Sequence, residues 1–200
     1  ALAWHMGRLW CGTNNGIGTV GKVYYFRPGI DTTWTADYDV TTSSAGGGDS
    51  MVSYGGKLYV GVDNASGSRG LVLVRSSAGA YTTSQTGTGG TAVVNNGYIA
   101  LRVFENNLYA SYWNKDTPNI SKIEKFKGSS WSTAYTGAST TLRPFILLVE
   151  DNGKLFAVGG GCGLTGALVS TPDGTTWTNL TPQLFESSKT LLPIYGVEIL

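Results

Sequence analysis

Histidine is almost missing from this chain: His5 is the one imidazole in 200 residues, so any Ser-His-Asp or Cys-His arrangement would have to use it. The plainer expectation for His5 is a strand residue on an apolar face. Two cysteines, Cys11 and Cys162, cannot build a Cys-rich zinc site. Charge is scarce, with Asp, Glu, Lys and Arg making up 14% of the chain. Fourteen basic against thirteen acidic residues leave a net charge of +1, so no basic field invites nucleic acid or an anionic membrane surface. Long apolar runs are absent too. The longest, Phe145 to Val149, falls far short of the roughly 20 residues a membrane helix needs. No basic start leads into an apolar segment and Ala1 stands where an initiator Met would, which reads as a mature product, a processed chain or a fragment.

What is abundant is glycine, at 29 residues, together with 41% apolar and 12% aromatic residues, enough for a packed core rather than a disordered chain. Four segments share a polar residue, Leu, an aromatic and then small residues. They are Arg8-Leu9-Trp10-Cys11-Gly12, Lys57-Leu58-Tyr59-Val60-Gly61, Asn107-Leu108-Tyr109-Ala110-Ser111 and Lys154-Leu155-Phe156-Ala157-Val158-Gly159. Their leucines are 49, 50 and 47 residues apart, and each is followed by a second aromatic (Trp34, Tyr81, Trp131, Trp177) after 25, 23, 23 and 22 residues. Two markers that keep step through four copies define an internal repeat.

Each unit reads as four short strands, a to d. In the second unit a is Met51 to Tyr54, b is Lys57 to Val62, c is Leu71 to Arg75 and d is Tyr81 to Gln85. Gly55-Gly56, Glu105-Asn106 and Asp151-Asn152-Gly153 stand at the a–b joint, where a primed hairpin turn demands positive φ. Pro28-Gly29, Ala78-Gly79, Lys127-Gly128 and Asp173-Gly174 stand between c and d. No stretch sustains a helical apolar period, so the fold class is all-β. Strand b is apolar on both faces, with Leu58, Val60 and Val62 on one and Tyr59 on the other, as expected of a sheet covered on both sides. Units of this length with four strands each predict the blades of a β-propeller, which bury their faces against one another. Approximate blades are 1–49, 50–97, 98–143 and 144–189, and 190–200 reads as the first strand of a further blade because Thr190 to Glu198 repeats Thr141 to Glu150. A ring of five to seven blades, of which this chain supplies about four, is the first reading, and a closed four-blade ring is the second.

Thr171-Pro172-Asp173-Gly174-Thr175-Thr176-Trp177 resembles the Asp-box of sialidase-type (BNR) repeats, in which Ser-x-Asp-x-Gly-x-Thr-Trp marks the c–d turn. The match departs from the pattern in that Asp173 and Gly174 are adjacent and Ser170 lies one residue too far away. The other units keep only Gly followed by an aromatic, as in Gly128-Ser129-Ser130-Trp131, while Gly-Lys-Leu-Tyr-Val-Gly on strand b is similar to that of bacterial and phage-borne propellers. The resemblance implies a structural turn: Asp173 ties it through backbone N–H groups, with Gly174 and Trp177 completing it, and it implies no catalysis.

A sialidase-like active site would need an arginine triad, an acidic Asp and a Tyr–Glu pair. Arg8, Arg27, Arg69, Arg75, Arg102 and Arg143 occupy differing places in the repeat, so no trio stands out; Arg102 and Arg143 lie nearest the axis. Glu150 and Asp151, the adjacent acids, read as turn residues. Gly46-Gly47-Gly48 and Gly159-Gly160-Gly161 lack the Lys and the helix of a phosphate loop, and Asp63-Asn64 and Asn114-Lys115-Asp116 lack the spacing of a calcium loop. No catalytic residue, metal ligand or cofactor is therefore assigned. Binding is better supported, on the face built by the long b–c loops (Thr13 to Gly21, Asp63 to Gly70, Trp113 to Asn119, Gly160 to Gly166). There Trp113, Asn114, Lys115, Asp116, Asp63 and Arg69 are the candidate ligand-binding residues, an aromatic among polar groups of both signs. The opposite face, made of short turns, is expected to offer a ligand little area.

The expected partners are a glycan or a protein surface on the loop face, and sister subunits, with no nucleic acid and no membrane insertion. Low charge with abundant Thr, Ser, Gly and Asn suggests an extracellular or virion setting, such as a phage tail or receptor-binding component. Asn64-Ala65-Ser66, Asn119-Ile120-Ser121 and Asn179-Leu180-Thr181 permit glycosylation. A non-enzymatic recognition module is the first functional reading. A glycan-processing hydrolase and a pure scaffold are the alternatives. Cys11 lies within strand b and Cys162 about five residues later in its own unit, an offset of roughly 16 Å, so the two are expected not to pair.

Overall fold

A computed structural model of the chain describes residues 1–13, 21–40, 48–64, 70–87, 96–114, 120–137, 145–159 and 167–180. These residues form sixteen strands and no helix. The first blade is β1 (Leu2–His5), β2 (Arg8–Gly12), β3 (Gly21–Phe26) and β4 (Thr35–Val40). The second is β5 (Gly48–Tyr54), β6 (Lys57–Asn64), β7 (Leu71–Arg75) and β8 (Tyr81–Thr86). The third is β9 (Asn96–Phe104), β10 (Asn107–Asn114), β11 (Ile120–Phe126) and β12 (Trp131–Thr136), and the fourth is β13 (Phe145–Asp151), β14 (Lys154–Gly159), β15 (Ala167–Thr171) and β16 (Thr178–Asn179). Each blade is an antiparallel meander, and the middle two are joined where β6 also pairs with β9. The all-β propeller architecture expected from the repeat is therefore present, with about four blades; the segment 190–200 lies outside the described residues.

The a–b joints turn as their residues require. Positive φ occurs at both central positions of Met6-Gly7, Gly55-Gly56, Glu105-Asn106 and Asn152-Gly153, the primed geometry that follows the twist of the strands. Glu150 and Asp151 are the last residues of β13, paired with Leu155 and Lys154, rather than turn residues. A second regularity was not visible in the sequence. Strand d carries one extra residue at the same place in three blades (Asp37, Ser84 and Ala134) and strand a at Asp49, Ile99 and Ile146. Such bulges bend a strand and sharpen its twist.

Strand b explains how blades adhere. Leu58, Val60 and Val62 enter one apolar layer with Trp10, Val23 and Val40 of the first blade. Tyr59, on the opposite face of the same strand, enters the next layer with Tyr98, Leu108, Ala110 and Tyr112 of the third. Tyr109 in turn enters the layer that holds Leu155, Ala157 and Val169 of the fourth. The repeated leucines Leu58, Leu108 and Leu155 are wholly buried, as the register predicts. Burying such a side chain contributes about 1.5–3 kcal/mol, and a single blade has nothing to bury it against.

Candidate functional site

The two ends of the blades differ in what they hold. At the b–c end, β6 and β10 run further than their apolar cores suggest, so Asp63, Trp113 and Asn114 are strand residues rather than the first residues of loops. The pairing of β6 with β9 sets them in one frame: Asp63 lies opposite Gly97, Gly97 opposite Trp113 and Trp113 opposite Ser121. Two strand spacings put Asp63 roughly 10 Å from Trp113, backbone to backbone, and Gly97 comes so near that a Cβ on it would lie 2.6 Å from the Asp63 Cβ. The next row is Asn64, Asn96, Asn114 and Ile120. Asp63 and Trp113 are both half-buried. Arg69, Lys115 and Asp116 lie outside the described residues, as do Arg143 and Cys162. Cys11 is a half-buried free thiol on β2.

Directly inward of this rim lies a buried polar network that sequence reasoning missed. Glu124 on β11 accepts a hydrogen bond from the Tyr98 hydroxyl, a second at 3.1 Å from the Gln85 amide of the second blade, and an ion pair at 2.6 Å from Lys122. Lys122 also lies 5.0 Å from the centroid of Tyr112, whose ring packs 4.9 Å from that of Tyr98. Burial, and then the Glu124 carboxylate, push the Tyr98 hydroxyl well above the usual phenol range and keep it a donor. This is the Tyr–Glu pairing a sialidase-like reading asks for, but Tyr98 is 0% and Glu124 3% exposed. The pair lies within the third blade, and the Gln85 amide that donates to Glu124 ties the second blade to it.

Asp37 and Asp31 are also held by basic partners. Asp37, the bulged residue of β4, takes two hydrogen bonds from Arg75 of the next blade at 2.7 and 3.0 Å and one from Tyr81 at 2.9 Å. Arg75 lies over Trp10 at 4.8 Å. Arg27 pairs with Asp31 at 2.7 Å and Arg8 lies over Tyr25, while Arg102 stands exposed on β9. Among the described residues, Arg8, Arg27 and Arg75 thus each have separate partners. His5 sits on the buried side of β1 as expected: Nδ1 meets Ser53 Oγ at 2.8 Å, and burial together with Arg75 lowers its pKa.

At the c–d end, Asp173 behaves as the resemblance implies. One carboxylate oxygen accepts the N–H groups of Thr175 and Thr176, each at 2.8 Å, and the Thr171 hydroxyl at 3.0 Å. These hydrogen bonds hold the Asp173 pKa well below the usual carboxylate range. Gly174 has φ +68°, and a Cβ there would strike the Tyr109 hydroxyl of the third blade. Trp177 packs 5.4 Å from Tyr135. The turn face, expected to offer a ligand little area, carries clefts of about 240 and 470 Å³ along its first two inter-blade seams.

No family model and no curated protein matches the chain. Among solved structures it is similar to Trypanosoma rangeli sialidase in complex with the inhibitor DANA (TM-score 0.56, 17% identity, 89% of this chain and 37% of that one). It is equally similar to the same sialidase with 2,3-difluorosialic acid (TM-score 0.57, 16% identity, 89% and 36% covered). A neuraminidase-like protein from A/bat/Guatemala/164/2009 also matches (TM-score 0.55, 10% identity, 89% and 52% covered). The chain spans about a third to a half of these proteins. At such low identity the likeness carries the fold alone: about four blades of a sialidase-like β-propeller.

Proposed function

We propose that the chain is a recognition or assembly module, in which the b–c end of a sialidase-like propeller holds a glycan or a polar protein surface outside the cell or on a virion. The observation that supports this reading is the row Asp63–Gly97–Trp113, which crosses two blades and has a carboxylate residue and an indole residue at the b–c end, next to the Gln85–Glu124–Lys122 network. A large aromatic flanked by polar groups is how many binding hot spots are built, the ring supplying contact area and the polar groups orientation. Arg69, Asn114, Lys115 and Asp116 belong to the same end by sequence and are proposed to add the polar contacts.

A glycan-processing hydrolase is the second reading, favoured by the fold neighbours being sialidases. The enclosure of Tyr98 and Glu124 weighs against their serving as a nucleophile pair in this chain. Glycan-array binding and partner pull-down, compared between wild type and Trp113→Ala, test the proposal. Loss of binding by about 1–3 kcal/mol with unchanged fold stability is expected. Equal binding by the two proteins overturns the assigned rim, and turnover of a fluorogenic glycoside that Arg102→Ala abolishes favours the hydrolase.

A further inference from the structure

On the turn face, the a–b hairpin of one blade meets the c–d turn of the next, and the three seams are filled differently. In the third, the backbone at Gly174 closes on Tyr109. In the second, Tyr54, Tyr59 and Phe126 line the cleft, with Lys57 at its edge. In the first, His5, Arg8 and Arg75 converge on one cleft of about 240 Å³, whose remaining lining is Trp10, Met6 and the turn Ser77 to Gly79. By register these three basic residues take the places of Tyr54, Lys57 and Phe126 in the second seam and of Phe104, Asn107 and Thr171 in the third. Lys57 keeps a basic group at the place of Arg8, but Asn107 is neutral there, and neither of the other seams has a basic group at the places of His5 and Arg75, so packing of the repeat does not require the three together.

Their charges are unequally met. Asp37, which is not part of the lining, neutralises Arg75. Arg8 is half-buried over Tyr25 at 4.5 Å and takes part in none of the ion pairs among the described residues. Asp31, the acid that feels its field, is already held by Arg27. The cleft is too small for a drug-sized ligand, for which about 300 Å³ or more is usual, yet roomy for a charged group on a short stem. A guanidinium fork matches the paired oxygens of a carboxylate or phosphate.

We infer that the first-seam cleft is a binding site for a small oxyanion group, a carboxylate or a phosphate, with Arg8 as its main charge partner and Arg75 and His5 beside it. The site is separate from the b–c rim and does not depend on the function proposed for that rim. Because His5 is the sole histidine, its ring protons give a single reporter in the nuclear magnetic resonance spectrum. Inorganic phosphate and, separately, acetate are titrated into the 200-residue chain at constant ionic strength. The expected result is a saturating shift of the His5 signals with at least one anion, weakened at least tenfold in Arg8→Gln and unchanged in Lys57→Gln, which alters the second seam. Saturation by phosphate alone assigns a phosphate ligand and by acetate alone a carboxylate ligand. A straight-line drift with both anions, or equal saturation in wild type and Arg8→Gln, overturns the inference.

Discussion

Trp131 and Trp177 stand at matching places in consecutive blades, but their indole N–H groups fare differently. Trp131 Nε1–H donates to Ser84 Oγ at 3.1 Å, and Ser84 is the bulged residue of the preceding strand d. In the seam before it, the bulged Asp37 accepts the Tyr81 hydroxyl. The bulged residue facing Trp177 is Ala134, and Trp177 Nε1 is buried with no acceptor among the described residues. A buried donor left unmade costs about 1–3 kcal/mol. Ala134→Ser should therefore stabilise the protein by about 0.5–1.5 kcal/mol in urea unfolding, and Ser84→Ala should destabilise it by a similar amount. Asp173 supplies a second residue-scale prediction. Its pKa is depressed in the folded chain from an ordinary 3.8, so its stabilising contribution is complete above that value and is lost as pH falls below it toward the folded pKa. Asp173→Asn should flatten the acid limb of a stability-versus-pH curve measured by denaturant unfolding, and an unchanged limb would mean that the turn does not bind the carboxylate.

Gly174 and Gly128 each stand three residues before the tryptophan of their c–d turn, with φ +68° and +92°, but only Gly174 abuts a neighbouring blade. Gly128→Ala should cost about 1–2 kcal/mol for the left-handed backbone alone. Gly174→Ala should cost clearly more, because its methyl must displace the Tyr109 hydroxyl, which burial holds at a pKa of about 12. Thermal or urea unfolding of the two variants separates backbone strain from blade contact, and equal losses would contradict the contact. The hairpins were legible because glycine and asparagine advertise positive φ locally; Glu105-Asn106 was legible only from its place in the repeat, and Met6-Gly7 went unread. The bulges were not legible. One extra residue leaves the strand pattern almost intact, and its effect is felt only when the next blade packs against it.

Across the whole molecule, the leucine–aromatic marker revealed the layers because alternate residues of one strand serve consecutive layers, and that alternation is written in the sequence. The polar seams were hidden, since Tyr98, Lys122 and Glu124 gather only when the strands of the third blade pair, and Gln85 reaches Glu124 only after the second blade has stacked on it. The candidate rim was partly legible: Asp63 and Trp113 were named, but the β6–β9 pairing that aligns them joins different repeats. Removing Glu124 takes away the ion-pair partner of buried Lys122 and the acceptor of Tyr98 and Gln85, so Glu124→Ala should cost on the order of 3–5 kcal/mol in urea unfolding. A loss below about 1 kcal/mol would mean that the network is not a fastening between blades. Blade-to-blade stacking holds the fold, and the chain carries its own control. Leu108 is covered by the second blade, whereas Leu9, at the same place in the repeat, is half-buried on a blade whose first strand leaves Leu2 64% and Trp4 58% exposed. Urea unfolding of Leu108→Ala beside Leu9→Ala is the most direct test: stacking predicts a loss of about 2–5 kcal/mol for Leu108→Ala and well under half of that for Leu9→Ala, and equal losses would contradict it.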